Sequence, residues 1–161
     1  MEFEREHDLP YSPEQIWAVL GDFENHRIWN PYVRIERLAE DPIAIRYSMR
    51  MDPNKPKFLE VSATVLSARS GEELILDVKP SFILQFEESY ILTRTPEGTK
   101  FLHRYRCRGP FAWLRLPGIQ TSFQRMLASI DGILLSYLKS KYSKPQSPPR
   151  RPKSKFKGGR R

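Results

Sequence analysis

The chain has 161 residues, 39% of them hydrophobic and 12% aromatic, which suits one soluble domain with a hydrophobic core and is short for two. No stretch reaches the roughly 18–20 apolar residues of a membrane span, and the charged N-terminus is unlike a signal peptide. The single cysteine, Cys107, excludes an internal disulfide and favours a reducing cytoplasm.

The net charge of +8 is unevenly distributed along the chain. Ten of the 27 Lys and Arg lie in residues 139–161, which contain no acid, so the rest of the chain has 17 bases against 19 acids. The main part of the chain is therefore mildly acidic, which argues against nucleic-acid binding through a basic surface of the folded domain.

The chain opens with EFEREHDL, residues 2–9, which alternates strictly between two faces. A period of two predicts a β-strand with one solvated face and one covered face. The acidic residues form the solvated row, so Arg5 and His7 share the covered face with apolar neighbours.

Two short helices are predicted next. Residues 13–20 have a good N-cap in Ser12 and a capping-box partner in Gln15. Residues 22–30 favour a second short helix, which must end before Pro31 because the residue before a proline disfavours the helical conformation.

Six further strands are predicted from alternating or continuous apolar segments, and they make seven in all. The TPEGT turn joins the last two strands as a hairpin with glycine at the permissive position. The predicted ranges are residues 33–38, 43–51, 58–67, 73–79, 85–94 and 101–109.

A long helix is predicted from Ile119 to about Tyr142, because apolar residues recur there at spacings of three and four. Residues 143–161 combine prolines, glycines and bases with a single Phe156, and such a segment cannot build a core. We therefore expect one domain over residues 1–142, followed by a disordered basic, proline-rich tail over residues 143–161.

This order of elements predicts an α+β architecture, in which a curved antiparallel sheet wraps around the one long C-terminal helix. Antiparallel strands need one covered face, and only the long helix is large enough to cover it. A single helix does not fill a curved sheet completely, so we expect a cavity between the sheet and the helix.

The sequence resembles the SRPBCC superfamily, the START-related helix-grip proteins that include polyketide cyclase/dehydrase-like and pollen-allergen-like members. The resemblance covers roughly residues 1–142 and implies a helix-grip fold. Its first motif consists of Pro13, Ile16, Trp17, Asp22, Phe23, Trp29, Asn30 and Pro31. Its second is the strand FLHRYRCRG, which keeps Phe101, His103 and Gly109 but has Tyr105 and Cys107 where the superfamily often has glutamate and an aromatic residue. The third stretch that carries the resemblance is the FQRML segment of the last helix.

The resemblance further implies that the first strand lies antiparallel beside the last. The acidic row of residues 2–8 would then face Arg104, Arg106 and Arg108 on the solvated side. Counting back from the hairpin turn predicts three pairs across the last two strands: Leu92 with Phe101, Tyr90 with His103 and Glu88 with Tyr105.

The alternation places several polar side chains on the covered face, among apolar ones. A few polar groups within an apolar cavity are the usual form of a small-molecule site. We expect a hydrophobic or lipid-like ligand, with Arg5 fixing an acidic head and His103 and Tyr105 donating to a carbonyl. The alternative is that the buried charges only pair with each other, for example Arg5 with Glu88. The predicted lining residues are Arg5, His7, Tyr47, Met49, Val61, Leu74, Leu76, Glu88, Tyr90, His103, Tyr105, Phe123, Met126 and Ile130.

A second hypothesis is a cyclase or dehydratase that uses His103, Tyr105, Glu88 and His7 for proton transfer. The sequence contains no nucleophile motif, no glycine-rich phosphate loop and no metal-ligand spacing, so neither a cofactor nor a metal is predicted. A third hypothesis is a quinone- or lipid-binding chaperone held at an anionic membrane, or at RNA, by residues 143–161. The sequence gives no indication of oligomeric state.

Overall fold

The computed structural model describes residues 1–39, 41–50, 56–81, 84–109 and 117–143. Within them the chain forms seven strands and three helices in the predicted order. The strands are β1 (Glu2–Leu9), β2 (Val33–Leu38), β3 (Asp41–Met49), β4 (Leu59–Arg69), β5 (Glu73–Lys79), β6 (Gln85–Thr95) and β7 (Gly98–Arg108). The helices are α1 (Pro13–Leu20), α2 (His26–Trp29) and α3 (Pro117–Tyr142).

The strands form one curved antiparallel sheet in the order β1-β7-β6-β5-β4-β3-β2. Register shifts in β2 after Arg37 and in β4 after Val65 mark the irregularities that bend strands. α3 has 26 residues, about 39 Å at 1.5 Å per residue, and packs against β1 and β7. The predicted helix-grip architecture is confirmed.

The capping box predicted for α1 is present. Ser12 Oγ accepts from the backbone N–H of Gln15 at 3.3 Å, and the Gln15 side chain accepts from the backbone N–H of Ser12 at 2.9 Å. The α2 helix ends before Pro31 as predicted, and Asn30 Oδ1 then accepts from the backbone N–H groups of Tyr32 and Val33. This turn fixes the start of β2.

The predicted register of the last hairpin is confirmed at all three pairs, including Tyr90 opposite His103 and Glu88 opposite Tyr105. β1 also lies antiparallel to β7, with Glu2 opposite Arg106. The predicted outer charge row is only partly correct, because Arg108 lies beyond the paired part of β1. It binds Asp77 at 3.2 Å and Glu87 at 3.4 Å instead.

Several boundaries differ from the predictions: β3 runs over Asp41–Met49, β7 starts at Gly98 and not at residue 101, and α2 is limited to His26–Trp29. Leu38 pairs with Asp41 at the start of β3, and Ile43 is 56% exposed. The predicted end of that strand at Met51 lies outside the described residues. The predicted tail begins at residue 143, and residues 144–161 also lie outside them, so the tail stays a prediction.

The core lies between the concave face of the sheet and α3. The fully buried stripe of this helix contains Leu127, Ile130, Leu134 and Leu138. Three other apolar residues of the helix, Met126, Ile133 and Tyr137, are partly buried. Within the described ranges, no helix has both the length and the hydropathy that crossing a bilayer requires.

Candidate functional site

Polar side chains meet in the core where β3, β6 and β7 face α3. We call this group the polar cluster: Tyr47, Glu88, Tyr90, His103, Tyr105 and Asp131. Each member is at most 2% exposed. The alternation of β6 and β7 directs Glu88, Tyr90, His103 and Tyr105 to the covered face, and α3 supplies Asp131.

Glu88 is the acceptor at the centre of the polar cluster. Its Oε1 accepts from the Tyr90 hydroxyl at 2.6 Å and the Tyr105 hydroxyl at 2.9 Å, and lies 3.3 Å from His103 Nε2. Its Oε2 accepts from the Tyr47 hydroxyl at 3.0 Å. A buried carboxylate with this many donors is stabilised in its charged form.

Asp131 joins the polar cluster to the first strand. Its Oδ1 lies 2.6 Å from His103 Nδ1, and its Oδ2 lies 2.8 Å from His7 Nε2 and 3.2 Å from Arg5 Nε. The imidazole of His103 also stacks on the Tyr90 ring, with centroids 4.2 Å apart. One carboxylate on α3 thus holds side chains from both β1 and β7.

The contacts shift the pKa values of the central pair in opposite directions. Burial alone would lower the pKa of His103, but its hydrogen bonds to Asp131 and Glu88 and their charges raise it above the ordinary 6.5. Burial would raise the pKa of Glu88, but hydrogen bonds from His103, Tyr90 and Tyr105 and the His103 charge bring it below the ordinary 4.5. Both shifts favour an ion pair.

A separate pocket of about 400 Å³ lies between α3 and the part of the sheet near β3 and β6. It is partly open to solvent, and half of its lining is apolar. We call this the pocket; it is lined by Tyr32, Met49, Arg50, Leu84, Phe86, Ser122, Phe123, Arg125, Met126 and Ser129.

Two aromatic rings lie between the pocket and the polar cluster. Phe86 and Phe123 line the pocket, and both make edge contacts with the Tyr105 ring, with centroids 5.5 Å and 5.8 Å away. They also contact each other at 5.8 Å. These two rings thus contact both the pocket and the Tyr105 ring of the polar cluster.

Hydrogen bonds position the polar residues of the pocket. The backbone N–H of Arg50 donates to the Tyr32 carbonyl at 2.8 Å, and the Ser129 hydroxyl donates to the Tyr32 hydroxyl at 3.3 Å. Three parts of the chain therefore meet at Tyr32: the end of β3, the helix α3 and the turn that precedes β2.

The structure divides the lining residues predicted from the sequence among four places. Met49, Phe123 and Met126 line the pocket. Tyr47, Glu88, Tyr90, His103 and Tyr105 form the polar cluster, which Arg5 and His7 adjoin through Asp131. Leu74, Leu76 and Ile130 lie in the closed core, and Val61 lines a second, more open depression near Leu38.

The alternative pairing of Arg5 with Glu88 is not what the structure has, because Arg5 binds Asp131. Sequence reasoning missed Asp131 by collecting only apolar residues on the helix stripe. The signal was its spacing: Asp131 follows Leu127 by four residues and precedes Leu134 by three. Similarly, Ser122, Arg125 and Ser129 form a polar strip at helical spacing beside Phe123 and Met126.

The part of the chain that the structure describes contains no group of three His, Cys, Asp or Glu side chains arranged to hold a metal ion. Cys107 is buried, and burial raises the pKa of its thiol to about 11. A thiol with a raised pKa is a poor nucleophile at neutral pH.

The fold is that of the helix-grip class. A family model described as polyketide cyclase / dehydrase and lipid transport matches residues 1–131. The chain belongs to this family. A search of curated protein sequences finds no match.

Solved structures share the fold at low sequence identity. A Thermus thermophilus protein is 15% identical, with a TM-score of 0.68 over 88% of this chain and 99% of that one. A START superfamily protein from Mycobacterium smegmatis is 13% identical, with a TM-score of 0.67 over 87% and 98%. One half of the di-domain ARO/CYC StfQ from the steffimycin biosynthetic pathway is also similar: 14% identity and a TM-score of 0.67 over 86% of this chain and 49% of that one.

Proposed function

We propose that this protein binds a small hydrophobic ligand in the pocket, as a carrier or a sensor. The observation that carries the proposal is the pocket itself, about 400 Å³ in volume and lined by five apolar side chains. Ligand sites typically measure roughly 300–1,000 Å³ and combine apolar walls with a few polar groups. The family's description, which includes lipid transport, agrees with such a ligand.

The lining supports a ligand with an apolar body. Met49 and Met126 are adaptable walls because a thioether side chain has several soft torsions. Phe86 and Phe123 offer flat ring surfaces. Burying apolar surface against these side chains stabilises a complex by about 25 cal/mol per Å² before the costs of association are subtracted.

The polar cluster supports binding indirectly by holding α3 on the sheet. Its carboxylates and phenols are occupied by one another, and both faces of the pocket depend on the position of this helix. The cyclase or dehydratase hypothesis requires His103, Tyr105, Glu88 or His7 to reach a bound ligand. None of these four is among the described lining residues of the pocket, so we restrict the proposal to binding.

The basic segment of residues 143–161 supplies a separate proposal, that it attracts the domain to an anionic surface. Full-length protein should sediment with phosphatidylserine vesicles at low salt, and protein ending at residue 142 should not. Sedimentation of the shortened protein would contradict this role, and binding to RNA alone would replace the membrane with a nucleic acid.

The binding proposal is tested with N-phenyl-naphthylamine, a neutral probe whose fluorescence increases in apolar surroundings. Wild-type protein should bind it, and Met126→Trp should weaken binding at least about tenfold, equivalent to about 1.4 kcal/mol, because the indole fills the pocket. Leu66→Trp is the matched control, since Leu66 is 54% exposed on β4 and is not a described pocket residue. Equal binding by all three proteins would contradict the proposal.

A further inference from the structure

We propose that the pocket selects an amphiphile with an anionic head group and that Arg50 is the residue that binds this head group. This inference rests on the proposed binding function and names the ligand class for the same site. Of the ten described lining residues, Arg50 and Arg125 are cationic and none is acidic. An anionic oxygen at the polar side of the pocket would therefore meet only favourable charges from the lining.

Arg50 is held in place by the protein and retains an unused donor. Its backbone N–H donates to the Tyr32 carbonyl at 2.8 Å, and its guanidinium lies 4.8 Å from the centroid of the Phe58 ring. Its Nε is buried and has no hydrogen-bond partner. Because a guanidinium whose Nε is shut off from water is poorly solvated, an anionic oxygen that meets its charge from the pocket gains more than it would at a fully solvated arginine.

Arg5, the anion-binding candidate from the sequence, is differently placed. Its Nε lies 3.2 Å from the buried Asp131 carboxylate, so an acidic neighbour already compensates its charge. A ligand carboxylate at Arg5 would also lie close to Asp131 and be repelled. The charge balance therefore favours Arg50 over Arg5 for binding an anionic head.

Arg125 adds a second positive charge at the exposed edge of the pocket. It lies on α3 between Ser122 and Ser129, whose hydroxyls also line the pocket. A planar guanidinium presents paired donors that match carboxylate and phosphate oxygens. We assign Arg50 to direct contact with the head group and Arg125 to attraction at the entrance.

Arg34 provides a matched control. Its guanidinium lies over the same Phe58 ring, 3.9 Å from the centroid, but it is not among the described residues of the pocket. Arg34→Gln removes an arginine stacked on the same ring, so it measures how the loss of such a stack alone affects ligand binding. Arg50→Gln additionally removes a positive charge from the lining of the pocket.

The experiment is isothermal titration calorimetry of full-length protein with octanoate, octyl phosphate and octanol, which share one chain and differ in the head. Wild-type protein should bind at least one of the anions about tenfold or more tightly than octanol, as a charge-assisted hydrogen bond provides. The preferred anion distinguishes a carboxylate from a phosphate ligand. Arg50→Gln should abolish most of this preference while octanol binding persists, and Arg34→Gln should keep it.

Four results decide the matter. Equal affinity for octanol and both anions would overturn the head-group inference and leave the pocket proposal standing. A preference that survives in a folded Arg50→Gln protein would overturn the assignment to Arg50. If Arg50→Gln does not fold, Arg125→Gln and added salt carry the test: both should reduce anion binding without affecting octanol, and no change in either would overturn the inference. Failure of all three compounds to bind would overturn both proposals.

Discussion

The polar cluster and the pocket lie on either side of Phe86 and Phe123 and differ in how their polar groups are satisfied. Within the polar cluster, Glu88 has four partners and Asp131 has three. In the pocket, the Nε of Arg50 is buried without a partner. Groups that satisfy each other stabilise the fold, whereas a cationic side chain that lines an apolar cavity can attract the polar end of a ligand.

The largest effect should come from Asp131→Asn, because this carboxylate on α3 holds side chains of both β1 and β7. This change leaves the His103 imidazolium and the side chains of β1 without their carboxylate, and breaking a buried ion pair from one side costs about 3–5 kcal/mol. Urea unfolding monitored by circular dichroism measures the loss. The exposed pair of Glu36 and Arg46 is the control: Glu36→Gln should leave stability nearly unchanged. An equally small effect of Asp131→Asn would show that this carboxylate does not hold α3 to β1 and β7.

The second prediction concerns acid and His26, which lies outside both regions. His26 is 2% exposed, and burial lowers its pKa to about 4 from the ordinary 6.5. The unfolded chain therefore binds a proton more readily below pH 6.5, so stability falls between pH 6.5 and 4, by about 3 kcal/mol for a shift of this size. The free energy of unfolding of His26→Gln should vary less over this range than that of the wild type. If the free energy of unfolding depends on pH equally in the two proteins, His26 is not the cause of the loss.

His103 should show the opposite pH dependence. Its pKa is raised in the folded protein, so its stabilising contribution is complete below pH 6.5 and is lost as the pH rises through the folded pKa. The difference in unfolding free energy between wild type and His103→Gln should therefore shrink above pH 6.5. Asp131, Glu88 and the neighbouring tyrosines face this imidazole, so a difference that grows with pH would mean that they do not hold its proton.

The smallest effect concerns the backbone of α3 away from both regions. Gly132 is exposed, and a Cβ added there would meet no atom within 4 Å. Gly132→Ala should therefore stabilise the protein by about 0.5–1 kcal/mol, the usual helix-propensity difference. Gly98→Ala is the contrasting variant, because Gly98 has φ of 148° and a Cβ would collide with the Leu9 carbonyl. Thermal unfolding of both variants should show shifts of opposite sign.

The polar cluster could largely be predicted from the sequence, and the pocket only in part: a cavity between sheet and helix lined by Met49, Phe123 and Met126 was expected, but the rest of its lining was not. The pairing of Tyr90 with His103 follows from alternation and from counting back through one tight turn, both of which are local. Asp131 was missed because the buried face of the helix was predicted from its apolar residues alone, so a polar residue on that face was not considered. The pocket depends on how far α3 stands from Phe86 and on where Arg50 emerges from β3, and these distances come from tertiary packing.

The most direct test of the separation between the two regions is the affinity for N-phenyl-naphthylamine of Met126→Trp and His103→Gln, measured at a temperature where both are folded. The account predicts that Met126→Trp loses binding and keeps most of its stability. It predicts that His103→Gln loses stability and binds the probe nearly as the wild type does. A His103→Gln protein that is folded but no longer binds, beside a Met126→Trp protein that still binds, would place the ligand at the polar cluster and contradict the account.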